Sequence, residues 1–441
     1  MGTPPENDPA GEPDSSTARR GRSASTPPMG WNSWDCYGGS VREAEVLANA
    51  RYLRDHLLPH GWDHVVVDIQ WYEPTADTAG YHEGAVLDLD ANGRPMPSVN
   101  RFPSAADGAG FAPLAARIHE MGLRFGLHIL RGIPRQAVAQ RLPILGTDWT
   151  AADVADHDHV CPWNPDNLGL DHEHPGAQAY YDSLLARFAE WGVDYVKADD
   201  MLAPYHAAEI AAFSRAIEAS GRPMVLSLSP GTDLGLEHLD HLVQHSDVWR
   251  ISDDLWDRWP LVYDQFERMA RWAPHAGQGR WPDADMLPLG RIGIRAHGGD
   301  DRRSRLTRDE QRSLMALWAM ARSPLMFGGD LPSNDDWTLG LLTNDALLAI
   351  TKDSVDNRQH RREGELVVWT ASSGDGRIRY VAQFNLGDVP ADSTVQAAEL
   401  GTDADDLVVD ILGSGTPVRL GVSRRTPLPP HGCVLWAISS S

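Results

Sequence analysis

A (β/α)8 TIM barrel followed by a small antiparallel β-sandwich is the fold class the sequence predicts, on three observations. From Met29 to about Ile350 the chain repeats one alternation of apolar run, polar loop and amphipathic stretch, the pattern of βα units around a parallel sheet. After Lys352 the pattern changes to short strand-like segments separated by Gly, Asp and Pro, as antiparallel strands require. The 441 residues suffice for a barrel of about 250 residues or more with a smaller companion. The expected division is a disordered tail over 1–25, a catalytic barrel over 26–350 and the sandwich over 351–441.

The elements follow in chain order. The tail, rich in Pro, Gly, Ser and charge, has no apolar run, so it cannot bury a core. Its ARRGR is followed by SASTPPMGW rather than an apolar stretch, unlike an export signal. Barrel strands are predicted at MGWNSW (29–34), HVVVDI (64–69), RFGLHI (124–129), VDYVKA (193–198), PMVLSL (223–228), DVWRI (247–251), RWPDA near 281 and PLMFG (324–328). Helices are predicted at REAEVLANARYLRDHL, PGAQAYYDSLLARFAEW, HAAEIAAFSRAIEA, DEQRSLMALWAMARS and NDALLAI, where apolar residues recur at helical spacing. The sandwich strands are GELVVWTAS, IRYVAQFNL, LVVDILG, TPVRLGV and HGCVLWAI.

A formal charge of −23 argues against nucleic acid as a partner, because phosphate binding needs clustered Lys and Arg. No stretch approaches the roughly 18 apolar residues that span a bilayer, so no membrane partner is expected. Three cysteines, Cys36, Cys161 and Cys433, cannot form a disulfide framework, and a cytoplasmic protein is expected. Many of the sixteen tryptophans stand beside Gly, Asp or Asn. Sugar sites favour such aromatic faces, although Trp is also simply a large buried side chain.

Barrel enzymes place their chemistry at the C-terminal ends of the strands. YVKADDM puts Lys197 and Asp199 on one side of a strand end, so the ammonium is expected to meet the carboxylate and keep it an ionised nucleophile. A structural ion pair is the alternative. WRISDDLWD adds Asp254 after another strand, and a retaining glycosidase needs two such carboxylates, one to attack and one to protonate. Asp253 and Asp254 are equally suited to cap the next helix. Trp34, Asp68, His128, Asp283 and Asp285 also end predicted strands. Their joint appearance points to a site.

MGWNSWD, DYVKADD, WRISDDLW, WPDADMLPLG and LWAMARSPLMFGGDL occur in the order of glycoside hydrolase family 27, the melibiase-type α-galactosidases, and LPPHGCVLWAI resembles that family's terminal sandwich. The resemblance spans roughly residues 26–350. It implies Asp199 as nucleophile and Asp254 as acid/base, with Trp34, Asp68, His128, Lys197, Arg250 and Asp285 binding the sugar. It implies an exo-acting, retaining α-galactosidase whose partner is a carbohydrate. Three positions depart from the family pattern: Ile69 replaces a carboxylate, His128 a tyrosine, and the segment around Pro230 a glutamate. These departures keep other glycons open, namely β-L-arabinopyranoside, α-glucoside or isomaltose-type substrates. A non-catalytic sugar-binding barrel is a further alternative.

His157, His159, Cys161, His172 and His174 crowd one loop but carry no standard zinc spacing. A polar loop shaping the pocket is expected, with neither metal nor cofactor. Arg131 and Arg135 are suited either to a charged sugar or to internal pairing.

Overall fold

Short runs of apolar and aromatic residues become the barrel strands in this computed structural model, which describes residues 24–440 except 79 and 83. Nearly all of the expected tail lies outside the described residues. Ala24 is buried, and its carbonyl accepts the Trp281 indole N–H at 3.0 Å.

Eight strands form the barrel: β1 (Met29–Asn32), β2 (His64–Val67), β3 (Arg124–Leu130), β4 (Tyr195–Asp199), β5 (Val225–Leu228), β6 (Val248–Arg250), β7 (Trp281–Asp283) and β8 (Leu325–Phe327). Neighbours in sequence pair in parallel from β1 to β7, and β8 pairs with β1. A parallel bridge between Leu287 and Phe327 joins the two ends of the sheet. Gly30 permits the close approach of β1 to β2, since a Cβ there would lie 2.3 Å from the His64 carbonyl oxygen. Several strands stop earlier than the sequence suggests. After β1 the Asn32 side chain accepts the Trp34 N–H at 2.8 Å, and this Asx turn starts a helical turn, Trp34–Tyr37.

Helices return the chain between strands: α1 (Glu43–Tyr52), α2 (Ala112–Glu120), α3 (Pro175–Trp191), α4 (Ala207–Ala219), α5 (Leu239–His245), α6 (Trp259–Trp272), α7 (Arg308–Ala321) and α8 (Asp345–Asp353). None of the described helices is long and apolar enough to cross a membrane.

The C-terminal unit begins with β9 (Ser354–Glu363), β10 (Leu366–Ser373), β11 (Ile378–Asn385), β12 (Ala391–Gln396), β13 (Leu407–Asp410), β14 (Val418–Arg419), β15 (Ser423–Leu428) and β16 (Cys433–Ser439). A six-stranded antiparallel sheet runs β9-β10-β11-β16-β13-β14, and β12 pairs with β15. Between the two sheets Val368, Val381, Val395, Val408, Trp436 and Ile438 form a small core, as the period-2 alternation of a sandwich dictates.

Candidate active site

The C-terminal ends of the barrel strands open into a cavity of about 270 Å³. Six of the eight expected site residues line it: Trp34, Asp68, Lys197, Asp199, Arg250 and Asp254. Ile69 and Pro230, two of the departures, line it as well. Tyr81, Trp163, Ser229 and Asp253 complete the wall; of these, the sequence pattern marks only Asp253, as a helix cap.

Asp199 ends β4 with both carboxylate oxygens held. His128 Nε2 lies 2.7 Å from Oδ2, while the Asp200 N–H and the Ser229 hydroxyl each donate to Oδ1 at 2.9 Å. A carboxylate has about four acceptor positions, so these three bonds fix its plane and leave room for one more contact. Burial by itself would raise this carboxyl. The His128 hydrogen bond, the positive charge around it and Lys197 overcome that penalty and hold Asp199 well below the usual carboxylate range.

The expected pairing of Lys197 with Asp199 is not what forms. Lys197 Nζ donates to Asp68 Oδ2 at 2.8 Å, two strands away, and Asp68 also accepts from Asn32 Nδ2 at 2.7 Å and from the Ile69 N–H at 2.9 Å. The reason is register. His128 of β3 sits opposite Lys197, and its ring reaches diagonally to Asp199, occupying the side of the carboxylate that lysine would take. Burial opposes the charge on Lys197, but Asp68 and then Asp199 outweigh it, so the ammonium stays protonated above the usual lysine range. Burial likewise opposes ionisation of Asp68, which Lys197 reverses.

His128 and Asp285, expected on the sugar, stand behind the cavity wall. His128 is fully buried against Asp199. Asp285 takes Arg250 Nη1 at 2.8 Å and the Leu255 N–H at 2.7 Å. Burial, opposed by Arg250, raises the Asp285 carboxyl. Arg250 also reaches Asp254, at 3.3 Å. Asp254 is the contrasting carboxylate, with 43% of its side chain exposed. Asp200 and Asp285 have left-handed backbones, φ 59° and 84°, a conformation that aspartate tolerates better than most residues. Each turns the chain sharply where a barrel strand ends.

The segment around Pro230 presents no carboxylate to the cavity; its Ser229 hydroxyl serves Asp199 instead. Arg131 follows the internal-pairing alternative. It is buried, with Nη2 2.7 Å from Asp200 Oδ2 and Nη1 donating to the His159 carbonyl at 3.0 Å. Arg135 donates to the Pro165 carbonyl at 3.1 Å. The loop histidines go separate ways, His159 to Asp156, His172 to Glu209 and His174 to the Gly176 N–H. Among the described residues no three His, Cys, Asp or Glu side chains gather as a metal site.

A family model described as alpha galactosidase A, Melibiase_2, matches residues 167–353. Alpha-galactosidase 2 of Arabidopsis thaliana is 26% identical over 431 residues, 94% of this chain and 90% of that protein. A family 27 β-L-arabinopyranosidase from Geobacillus stearothermophilus is 50% identical, with a TM-score of 0.93 over 95% of this chain and 97% of that chain. A variant of that enzyme has been solved in complex with arabinose. α-Galactosidase I from Mortierella vinacea, 21% identical with a TM-score of 0.71 over 95% of this chain and 99% of that chain, shares the fold. With half its residues identical to those of a family member over nearly its whole length, this chain belongs to glycoside hydrolase family 27 and is a glycosidase.

Proposed function

We propose that this glycosidase is an exo-acting, retaining β-L-arabinopyranosidase with α-galactosidase as its weaker activity, a reordering of the two glycons that the family resemblance ranks the other way. The observation that carries it is Ile69, buried in the cavity wall beside Asp68 where the family pattern has a carboxylate. β-L-Arabinopyranose is α-D-galactopyranose without the hydroxymethyl group. A carboxylate accepts from hydroxyls and isoleucine from none, and each hydroxyl left unpaired in a dry pocket costs about 1–3 kcal/mol. The smaller sugar has one hydroxyl fewer to satisfy and a hydrogen to set against the methyl groups. The likeness to an arabinopyranosidase at 50% identity supports the same choice.

In this reading the Asp199 carboxylate attacks the anomeric carbon as the glycosidic C–O bond breaks, and Asp254 gives its proton to the departing oxygen. Water then attacks the glycosyl–enzyme ester, Asp254 takes its proton, and the sugar leaves with its configuration retained. The environments suit the roles. Asp199 is mostly buried, ionised and fixed by three hydrogen bonds, whereas Asp254 is half exposed and can exchange protons with solvent. Lys197 and Asp68 form an ion pair on the cavity wall, offering donors and acceptors to ring hydroxyls.

The test compares kcat/KM for the 4-nitrophenyl β-L-arabinopyranoside and α-D-galactopyranoside. Wild type should prefer the arabinoside, and Ile69→Asp should shift the ratio toward the galactoside by about tenfold, the equivalent of 1.4 kcal/mol. A wild type that prefers the galactoside, together with an Ile69→Asp variant that loses it, would refute the assignment.

A further inference from the structure

Tyr81 comes from the loop after β2, between two stretches whose packing is settled locally. Glu73, almost fully buried, accepts from the Thr75 N–H at 2.7 Å and lies 3.2 Å from His82 Nδ1. The loop base is thereby tied down on both sides of its tip. From it Tyr81 enters the cavity, its ring stacked near-parallel on Trp34 at 6.4 Å (19°) and tilted against Trp163 at 5.8 Å. Three aromatic rings from three different loops thus make one continuous face of the pocket.

The hydroxyl of Tyr81 makes no hydrogen bond with the described residues, whereas the charged side chains of this cavity, Asp68, Lys197, Asp199, Arg250 and Asp254, are each engaged by a neighbour. Burial, followed by the nearby charges of Asp199, Asp68 and Asp254, pushes the phenol well above its usual range, so it stays a neutral O–H donor and acceptor. The pocket therefore contains a donor that no described residue uses, within electrostatic reach of Asp199, Asp68 and Asp254.

We propose that Tyr81 is a further substrate-contacting residue, whose O–H bonds a hydroxyl of the glycon while its ring, backed by Trp34 and Trp163, walls the pocket. This rests on the cavity being the glycosidase site, but not on which pyranose fills it. A structural tyrosine would need its ring and not its oxygen. A contact residue needs the oxygen and discriminates among hydroxyls.

The experiment uses whichever glycoside wild type cleaves best, so that an error in the glycon leaves the test intact. Tyr81→Phe, checked for an unchanged thermal midpoint, is compared with wild type on the parent glycoside and on its 2-, 3- and 4-deoxy analogues. Loss of one hydrogen bond of ordinary strength should lower kcat/KM about 3- to 10-fold on the parent. For one deoxy analogue the variant and wild type should be equal, because the partner hydroxyl is already missing. Tyr81→Ala should add a further loss on all substrates, through the opened wall. Equal activity of Tyr81→Phe and wild type on the parent, or the same proportional loss on every analogue, overturns the proposal. Failure of every glycoside with wild type would instead sink the reading of the cavity itself.

Discussion

His128 shows how one side chain sets the working range of another. It supplies a hydrogen bond to Asp199 Oδ2 at 2.7 Å, and with the charges around it reverses the upward push of burial. A carboxyl depressed in this way stays ionised below the ordinary value of about 3.9. It adds stability above that value and loses it as pH falls through the folded pKa. The acid limb of kcat/KM reports the free enzyme's nucleophile. In His128→Phe burial is less opposed, Asp199 rises, and the limb moves to higher pH. Relative to wild type, the variant should therefore lose about tenfold more activity at pH 4 than at pH 7; parallel profiles would show that His128 does not tune Asp199. The two carboxylates separate by leaving group. Asp199→Ala should abolish turnover of every substrate, with partial rescue by azide, whereas Asp254→Ala should spare activated aryl glycosides and cost about 10²–10⁴-fold on poor leaving groups. If Asp253→Ala behaves in the second way and Asp254→Ala does not, the adjacent aspartate is the acid.

Helix α7 shows what an element contributes to two units at once. The Thr307 hydroxyl accepts the Glu310 N–H, and Glu310 Oε2 accepts the Thr307 N–H at 2.7 Å, a capping box that satisfies two otherwise orphan donors. The other oxygen of Glu310 lies 2.7 Å from His431 Nδ1 in the C-terminal unit. Thr307→Ala should cost about 1 kcal/mol in urea unfolding. Glu310→Ala should cost more, because it strips both the cap and His431; the reverse order would show that the link to His431 carries no stability. Elements of this kind were legible in the sequence because apolar periodicity and turn residues are local signals. Strand ends were legible for the same reason: a charge that finishes an apolar run, as at Lys197, Asp199 and Asp254, is costly unless used. What escaped is what other elements decide. Alternation along β4 places Lys197 and Asp199 on one side, but the register of β2, β3 and β4 gives Asp68 the lysine and His128 the nucleophile. Tyr81 and Trp163 lie in aperiodic loops, where only an aromatic among turn residues marks them. Strand β9 is polar for most of its length, because it is an edge of its sheet and water solvates one side.

At the scale of the molecule, barrel and sandwich share a core. Phe266 of α6 meets Phe384 of β11 edge-on at 5.0 Å, and Trp259 stacks on His431 at 4.3 Å. The Ser313 hydroxyl donates to the His431 carbonyl at 2.6 Å, and Asn357 Nδ2 to the Met320 carbonyl at 2.8 Å. Buried Trp369, Phe384 and Leu435 of the C-terminal sheet belong to the same apolar cluster as the barrel interior. Separate domains joined by small polar interfaces unfold independently, but opening this contact would expose apolar surface on both sides. The two units should therefore unfold in one transition, with loss of activity and loss of near-ultraviolet circular dichroism coinciding on heating. Phe384→Ala, far from the cavity, removes a fully buried ring and should cost about 3–5 kcal/mol. It should lower the midpoint of both signals together while leaving KM unchanged at temperatures where the variant is folded. If the circular dichroism of this variant fell in two steps, with activity surviving the first and lasting to the wild-type temperature, the barrel would be stable without its companion and the shared core would be a contact, not a dependence.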